Sequence, residues 1–331
     1  MKSSKDKFLE IKQSLHPYLL RVERLVDTSL SSDIPLLDSI NHSLRERPGK
    51  MLRPTLAILA AGAAGGVSED TIRFAAASEL LHNATLLHDD VVDGASERRG
   101  SPTVSSILGS SAAVLVGDFW LVKCMQVILA SHRHGDRALR IFSKTISDLA
   151  EGEMLQLQKA SDGDTVTGDY IRIIYSKTAS LFEATALSAA VSADAPEDTV
   201  CLLGDFARNL GMAFQIKDDI MDYSIPAGGI GKPVGQDLLE QKITQPLLCA
   251  LESASPGEAL RIREKVKSIS DNPALAHEVK DFVMEHEGVE KAGLVLGSYV
   301  EKAIKILESL PTSAEKSYLA ELSRYVASRD V

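Results

Sequence analysis

Cysteine is scarce in this chain. Three occur in 331 residues, Cys124, Cys201 and Cys249. They are widely spaced, odd in number and form no C-x-x-C pair. A disulfide framework is therefore not expected, and the thiols read as reduced and buried. An excess of positive charge is also missing. The net charge is −10, which argues against broad nucleic-acid affinity, because that needs a basic surface. Long apolar runs are missing as well. The windows TLAILAAGAAGG and AAVLVGDFWLVKCMQVILA are too short or carry internal charges. The opening MKSSKDKFLEIKQSLH is a polar amphipathic helix pattern without the apolar core of a signal peptide. No transmembrane segment is expected, and a cytoplasmic location follows as the default. No convincing alternating strand appears.

What is present is helical spacing. Leu9, Leu15, Leu19, Val22, Val26 and Leu30 follow a 3.6-residue stripe. Further helical stretches read approximately as residues 35–47, 51–64, 69–93, 103–130, 136–160, 168–192, 197–222, 235–252, 257–269, 273–285, 288–308 and 312–328. The breaks carry Gly, Pro, Ser or Asp, as in AGGVSED, RRGSPT and YSIPAGGIGKP. Most gaps are short, which favours antiparallel helical neighbours. No long linker divides the chain. The expectation is one all-α domain over residues 1–331, built from about a dozen helices.

The unusual chemistry lies in LLHDDVVDG, residues 86–94. On a helix, Asp89 and Asp93 share a face and Asp90 sits one step round. His82, Thr85, Asp89 and Asp93 fall on one stripe. Leu81, Leu87 and Val91 fall elsewhere and are expected to pack into other helices. One D-D-x-x-D is weak evidence, because acidic residues are common on solvated faces. Three carboxylates near a helix C-terminus, however, oppose the macrodipole and repel one another, and a divalent cation removes both problems. The device then recurs in QIKDDIMD as Asp218, Asp219 and Asp222, again ending an apolar helical run. Hard carboxylate oxygens without clustered His or Cys select Mg²⁺ over zinc. Mg²⁺ held by few carboxylates also takes substrate phosphate oxygens. The implied ligand is a phosphate or diphosphate bridged to two acidic walls. Lys50, Arg53, Arg98, Arg99, Lys177, Lys232 and Lys242 lie in or near these segments. Each alone is an ordinary surface cation, but beside two aspartate triads they favour an anionic substrate.

Taken together, GKMLRP, LLHDDVVD, ERRGSPT, VLVGDF, EGEMLQLQ, KTASLF, QIKDDIMD and GKPVGQDLLEQKITQPL run in an order that resembles the trans-prenyltransferases, the isoprenyl diphosphate synthase family. The resemblance spans nearly the whole chain. It implies an all-α helical bundle around a deep central cavity (the isoprenoid synthase fold), usually in a homodimer. It implies that Asp89, Asp90, Asp93, Asp218, Asp219 and Asp222 hold about three Mg²⁺ on an allylic diphosphate. Arg98, Lys177, Thr178, Gln215, Lys232 and Lys242 match positions near that diphosphate, with Lys177 counted among the catalytic residues. Lys50, Arg53, His82 and Arg99 match the isopentenyl diphosphate site. One departure is visible: many members read E-G-K where this chain has Glu240-Gln241-Lys242.

The implied reaction is head-to-tail (1'-4) condensation. The allylic diphosphate ionises, isopentenyl diphosphate attacks the carbocation, and a proton is lost. Mg²⁺ and cationic side chains offset charge on the departing diphosphate. In the family, the residues four and five before the first triad shape the cavity mouth. Here they are Thr85 and Ala84. Their small size leaves room for a product longer than farnesyl, with short-chain farnesyl or geranylgeranyl synthesis as the alternative. Phe119, Trp120, Met125, Met154 and Leu157 are candidates for the cavity floor. Transient membrane contact for product release stays open.

Three rival readings fit the motifs less well. A class I terpene cyclase usually carries a different second metal motif. A metal phosphohydrolase built on His82, His88 and Asp89 leaves the second triad unexplained. A non-catalytic partner subunit commonly lacks these motifs, whereas both triads are complete here.

Overall fold

The computed structural model describes residues 4–46, 49–98, 100–224 and 235–329. Helices dominate, as the 3.6-residue spacing predicts. The chain forms two compact units. The first comprises Met1–Lys144, Leu181–Ala207 and Ile306–Leu322; the second comprises Thr145–Ser180, Arg208–Lys305 and Ser323–Val331. Their boundaries fall inside or at the ends of helices such as Gly135–Asp162 and Glu197–Ser224, not in a linker.

The first unit is organised around the helix Glu69–Val92. Ser68 caps its N-terminus in a capping box with Thr71, and Glu69 and Asp70 sit in the first turn, where the dipole favours negative charge. Ser68 Oγ also donates to the Ser192 carbonyl at 2.9 Å, which ties the helix start to the helix Ser180–Ser192. The helix packs along Ser110–Leu129 and beside Leu52–Ala64. Phe74, Leu80, Leu81, Ile58, Ile128 and Phe182 fill this core. Gly117 permits the close approach of Ser110–Leu129: a Cβ there would lie 2.3 Å from His88 Nε2. Ser110–Leu129 has the length and composition of a membrane span. Its buried residues Ala113, Val116, Gly117, Trp120, Cys124, Val127 and Ile128 nevertheless form one inward stripe.

The second unit holds Arg208–Ser224, the second half of the long Glu197–Ser224 helix, and in it Gln245–Ser253 packs on Thr167–Ile174 and Leu275–Glu285, while Leu275–Glu285 packs on Pro256–Lys267. Leu210, Ile216, Leu247, Val266 and Val283 are fully or almost fully buried in it.

Several expectations are corrected. The stretch read as one helix over 103–130 is broken at Gly109, whose φ of 85° stops Val104–Leu108 before Ser110–Leu129 begins. The stretch 235–252 is two helices, Gln236–Leu239 and Gln245–Ser253. In ERRGSPT, Glu97–Arg98 and Ser101–Pro102 pair as a two-residue antiparallel ladder. Such a short ladder carries no alternation to read. Leu9 is 56% exposed, and Phe8 and Ile11 take the inward positions of the first helix instead. Cys201 is exposed, while Cys124 and Cys249 are buried, and all three are free.

Candidate active site

Both aspartate triads sit within the last two turns of a long helix or at its C-cap. Asp89 and Asp90 close Glu69–Val92, and Asp93 is its C-cap. Asp218, Asp219 and Asp222 close Glu197–Ser224. The first triad belongs to the first unit and the second triad to the second.

In the first unit, Asp90 is the buried member at 6% exposure. Arg98 Nε donates to its Oδ1 at 2.6 Å, reaching across from the small ladder. Burial pushes the Asp90 carboxyl up, and Arg98 opposes that rise. Asp89 is half-buried and Asp93 exposed. One turn back, Ala84 is buried, while Thr85 is half-buried and donates its hydroxyl to the His82 carbonyl at 2.8 Å. Arg53 is buried with its guanidinium 4.9 Å from the centre of the Phe182 ring. Lys50 is exposed just before it. Between them Met51 holds a left-handed φ of 55° and leads into Leu52–Ala64. Arg99 lies outside the described residues. Trp120, a candidate for the cavity floor, is core: its Nε1 donates to Asn41 Oδ1 at 2.8 Å. Phe119 and Met125 are half-buried.

The second unit gathers more of the predicted residues. Lys177, Gln215, Asp219 and Lys242 line one cavity of about 120 Å³. Lys177 and Thr178 sit in a π-helical turn, Tyr175–Ala179, between Thr167–Ile174 and Ser180–Ser192. π turns re-aim side chains and recur at functional sites. Gly152 of the EGEM motif lets its own helix approach that turn, since a Cβ there would lie 2.5 Å from Ser176 Cβ. Lys177 Nζ lies 2.5 Å from Glu153 Oε2. Thr178 donates to Gln215 Oε1 at 2.7 Å, and Gln215 Nε2 donates to Asp219 Oδ1 at 2.9 Å. Tyr170 Oη donates to the other carboxylate oxygen of Asp219 at 2.6 Å. Asp219 is nonetheless so buried that its pKa is raised to about 6, a rise the Tyr170 and Gln215 hydrogen bonds limit and Asp218 adds to. Asp237 lies half-buried on the same cavity, and desolvation pushes its carboxyl well above the usual range. Asp222 accepts from the backbone N–H groups of Gln236 and Asp237 at 3.2 and 3.1 Å. Lys242 pairs with Glu240. Lys232 lies outside the described residues. Of the remaining floor candidates, Met154 and Leu157 are exposed.

Sequence reasoning missed Tyr170, Glu153 and Asp237. Asp237 sits inside the quoted GKPVGQDLLEQK motif, so its acidic side chain was there to be noticed. Nothing local marks Tyr170, whose partner is far along the chain.

The departure at Gln241 has a structural correlate. Where many family members carry glycine, Gln241 adopts a left-handed φ of 58°. That conformation costs a non-glycine residue about 1 kcal/mol. Its amide offsets the strain by donating to the Lys267 carbonyl at 2.5 Å.

Among the described residues, no three His, Cys, Asp or Glu side chains already form a ready-made metal cage.

Residues 34–283 match the polyprenyl synthetase family model. An octaprenyl diphosphate synthase from Haemophilus influenzae is 37% identical over 314 residues, covering 95% of this chain and 94% of that protein. An all-trans-nonaprenyl-diphosphate synthase from Rhodobacter capsulatus is 34% identical, covering 93% and 94%. A polyprenyl synthase from Caulobacter crescentus, solved with calcium and isoprenyl diphosphate, superposes with a TM-score of 0.90 at 32% identity and covers 98% of each chain. The chain belongs to the polyprenyl synthetase family: it is a trans-prenyltransferase with the all-α isoprenoid synthase fold.

Proposed function

We propose that the protein condenses isopentenyl diphosphate with an allylic diphosphate, head to tail, to make an all-trans polyprenyl diphosphate longer than farnesyl. The observation that carries this reading is the convergence of Lys177, Gln215, Asp219 and Lys242 on one cavity. Cationic groups and a metal-type carboxylate sharing one wall suit a diphosphate. The product length draws on the octaprenyl and nonaprenyl synthases among the relatives. The small side chains of Ala84 and Thr85 agree with it.

The donor set fits a hard divalent cation. Both triads offer only carboxylate oxygens, and burial leaves Asp90 and Asp219 short of stabilisation in their charged forms. Asp89, Asp90 and Asp93, and likewise Asp218, Asp219 and Asp222, would hold Mg²⁺, about three ions in all. When bound, Mg²⁺ supplies positive charge against the departing diphosphate. The chain's own residues do the rest. Lys177, Thr178, Gln215, Arg98, Lys232 and Lys242 orient the allylic diphosphate and donate to its oxygens. Lys50, Arg53, His82 and Arg99 hold isopentenyl diphosphate so that its double bond faces the ionising carbon. Tyr170 fixes the Asp219 carboxylate.

Residues 1–331 act as one domain and the protein works as a homodimer. The missing linker supports the first statement. For the second, Leu115, Val122 and Leu129 recur every seven residues along Ser110–Leu129 and are 68%, 50% and 57% exposed, an apolar strip of the kind a partner covers. Three free cysteines fit a reducing, cytoplasmic setting.

Asp89→Ala and Asp218→Ala test the site. Each is expected to keep the helical fold by circular dichroism and to lose most turnover, about 10²-fold or more, as for other electrostatic groups at reacting centres. Near-normal activity in either purified variant would contradict the assignment.

A further inference from the structure

The second aspartate triad is fully engaged by the protein itself. Asp219 accepts from Tyr170 and Gln215, and Asp222 accepts from two backbone N–H groups. These donors are neutral. Asp218 accepts from a donor that carries a full positive charge. Arg329, just past the helix Ala314–Ser328, donates from Nη2 to Asp218 Oδ1 at 2.7 Å. The same nitrogen donates to the Phe214 carbonyl at 2.9 Å, and the guanidinium carbon lies 3.7 Å from the centre of the Phe214 ring. The Arg329 side chain is only 7% exposed, against 37% for Asp218. Arg329 is therefore seated rather than reaching from solvent, with its planar fork fixed by a ring, a carbonyl and a carboxylate.

We propose that Arg329 is a resident counter-cation of the second triad, which holds Asp218 until a divalent cation takes that carboxylate. This inference rests on the reading of Asp218 as a metal ligand. The physical argument is competition. A carboxylate oxygen already accepting a charge-assisted hydrogen bond has less to offer a metal, and guanidinium and dication repel at that range. Competition for one carboxylate is reciprocal: the cation weakens the seat of Arg329 as much as Arg329 weakens the cation. Residues 323–329 thereby report whether the second triad is loaded.

The test is Mn²⁺ binding to the full chain without any diphosphate, followed by electron paramagnetic resonance of free Mn²⁺. Wild type, Arg329→Gln and Asp218→Asn are compared. Arg329→Gln is expected to bind the Asp218-dependent Mn²⁺ roughly tenfold more tightly than wild type, the effect of removing one charge-assisted competitor. In wild type, saturating Mn²⁺ is expected to speed amide hydrogen exchange over residues 323–329. Asp218-dependent binding that is equal or weaker in Arg329→Gln overturns the proposal. So does unchanged or slower exchange in wild type, which decides the matter if the glutamine variant does not fold. Mn²⁺ binding that stays absent when inorganic diphosphate is added, or that is indifferent to Asp218→Asn, overturns instead the metal reading beneath it.

Discussion

Tyr170 donates its phenolic proton to Asp219 across 2.6 Å, and both side chains are buried. The bond joins the Thr167–Ile174 helix to the second aspartate helix within one unit. It also stabilises the ionised form of a carboxyl that burial has raised to about 6. Removing the hydroxyl while keeping the ring leaves burial in place and deletes one opposing hydrogen bond. Tyr170→Phe is therefore expected to move the acid limb of the kcat/KM profile to higher pH, with rates near the alkaline plateau less affected. An unmoved acid limb would show that Asp219 does not titrate in that limb.

The same carboxyl predicts an inverted stability profile in cation-free protein. The folded pKa of about 6 lies above the ordinary carboxylate value. A group raised in this way contributes stability that is present below its unfolded pKa and lost as pH rises through the folded one. Asp219→Asn, which cannot ionise, escapes that loss. In chelator-treated protein the variant is expected to gain stability over wild type between about pH 4 and pH 7, by urea denaturation, with the advantage complete above neutrality. A difference that is flat with pH would contradict the buried, raised Asp219.

Product length is tested one turn before the first triad. Ala84 is 1% exposed, so Ala84→Phe must push against packed neighbours and is expected to cost about 1–3 kcal/mol. Thr85 is half-buried and accepts a larger side chain more readily. Both Ala84→Phe and Thr85→Phe are expected to shorten the product on chromatography. Unchanged lengths from two folded variants would remove these residues from length control.

The helices were legible because apolar residues recur at 3.6-residue spacing wherever one face is buried. The two aspartate triads were legible because each breaks that pattern with like charges at a helix end. Local conformation was less so. A π turn has no residue signature of its own. Tyr175–Ala179 sits where Gly152 lets a second helix press on Ser176, a contact made in three dimensions. The partners of Asp218 and Asp219 were hidden for the same reason, since Arg329 and Tyr170 are distant in the chain and ordinary in their local sequence. Gln241 shows the middle case. The departure from glycine was visible, but not the left-handed φ it adopts or the carbonyl its amide reaches.

Chain elongation at a cation-dependent diphosphate site is the activity to be measured. The direct measurement is incubation of the purified full chain with Mg²⁺, isopentenyl diphosphate and either farnesyl or geranylgeranyl diphosphate, followed by sizing of the dephosphorylated products. The expected result is all-trans products longer than the primer, abolished by a chelator and restored by Mg²⁺. Absence of condensation with every primer, in folded protein supplied with Mg²⁺, would contradict it.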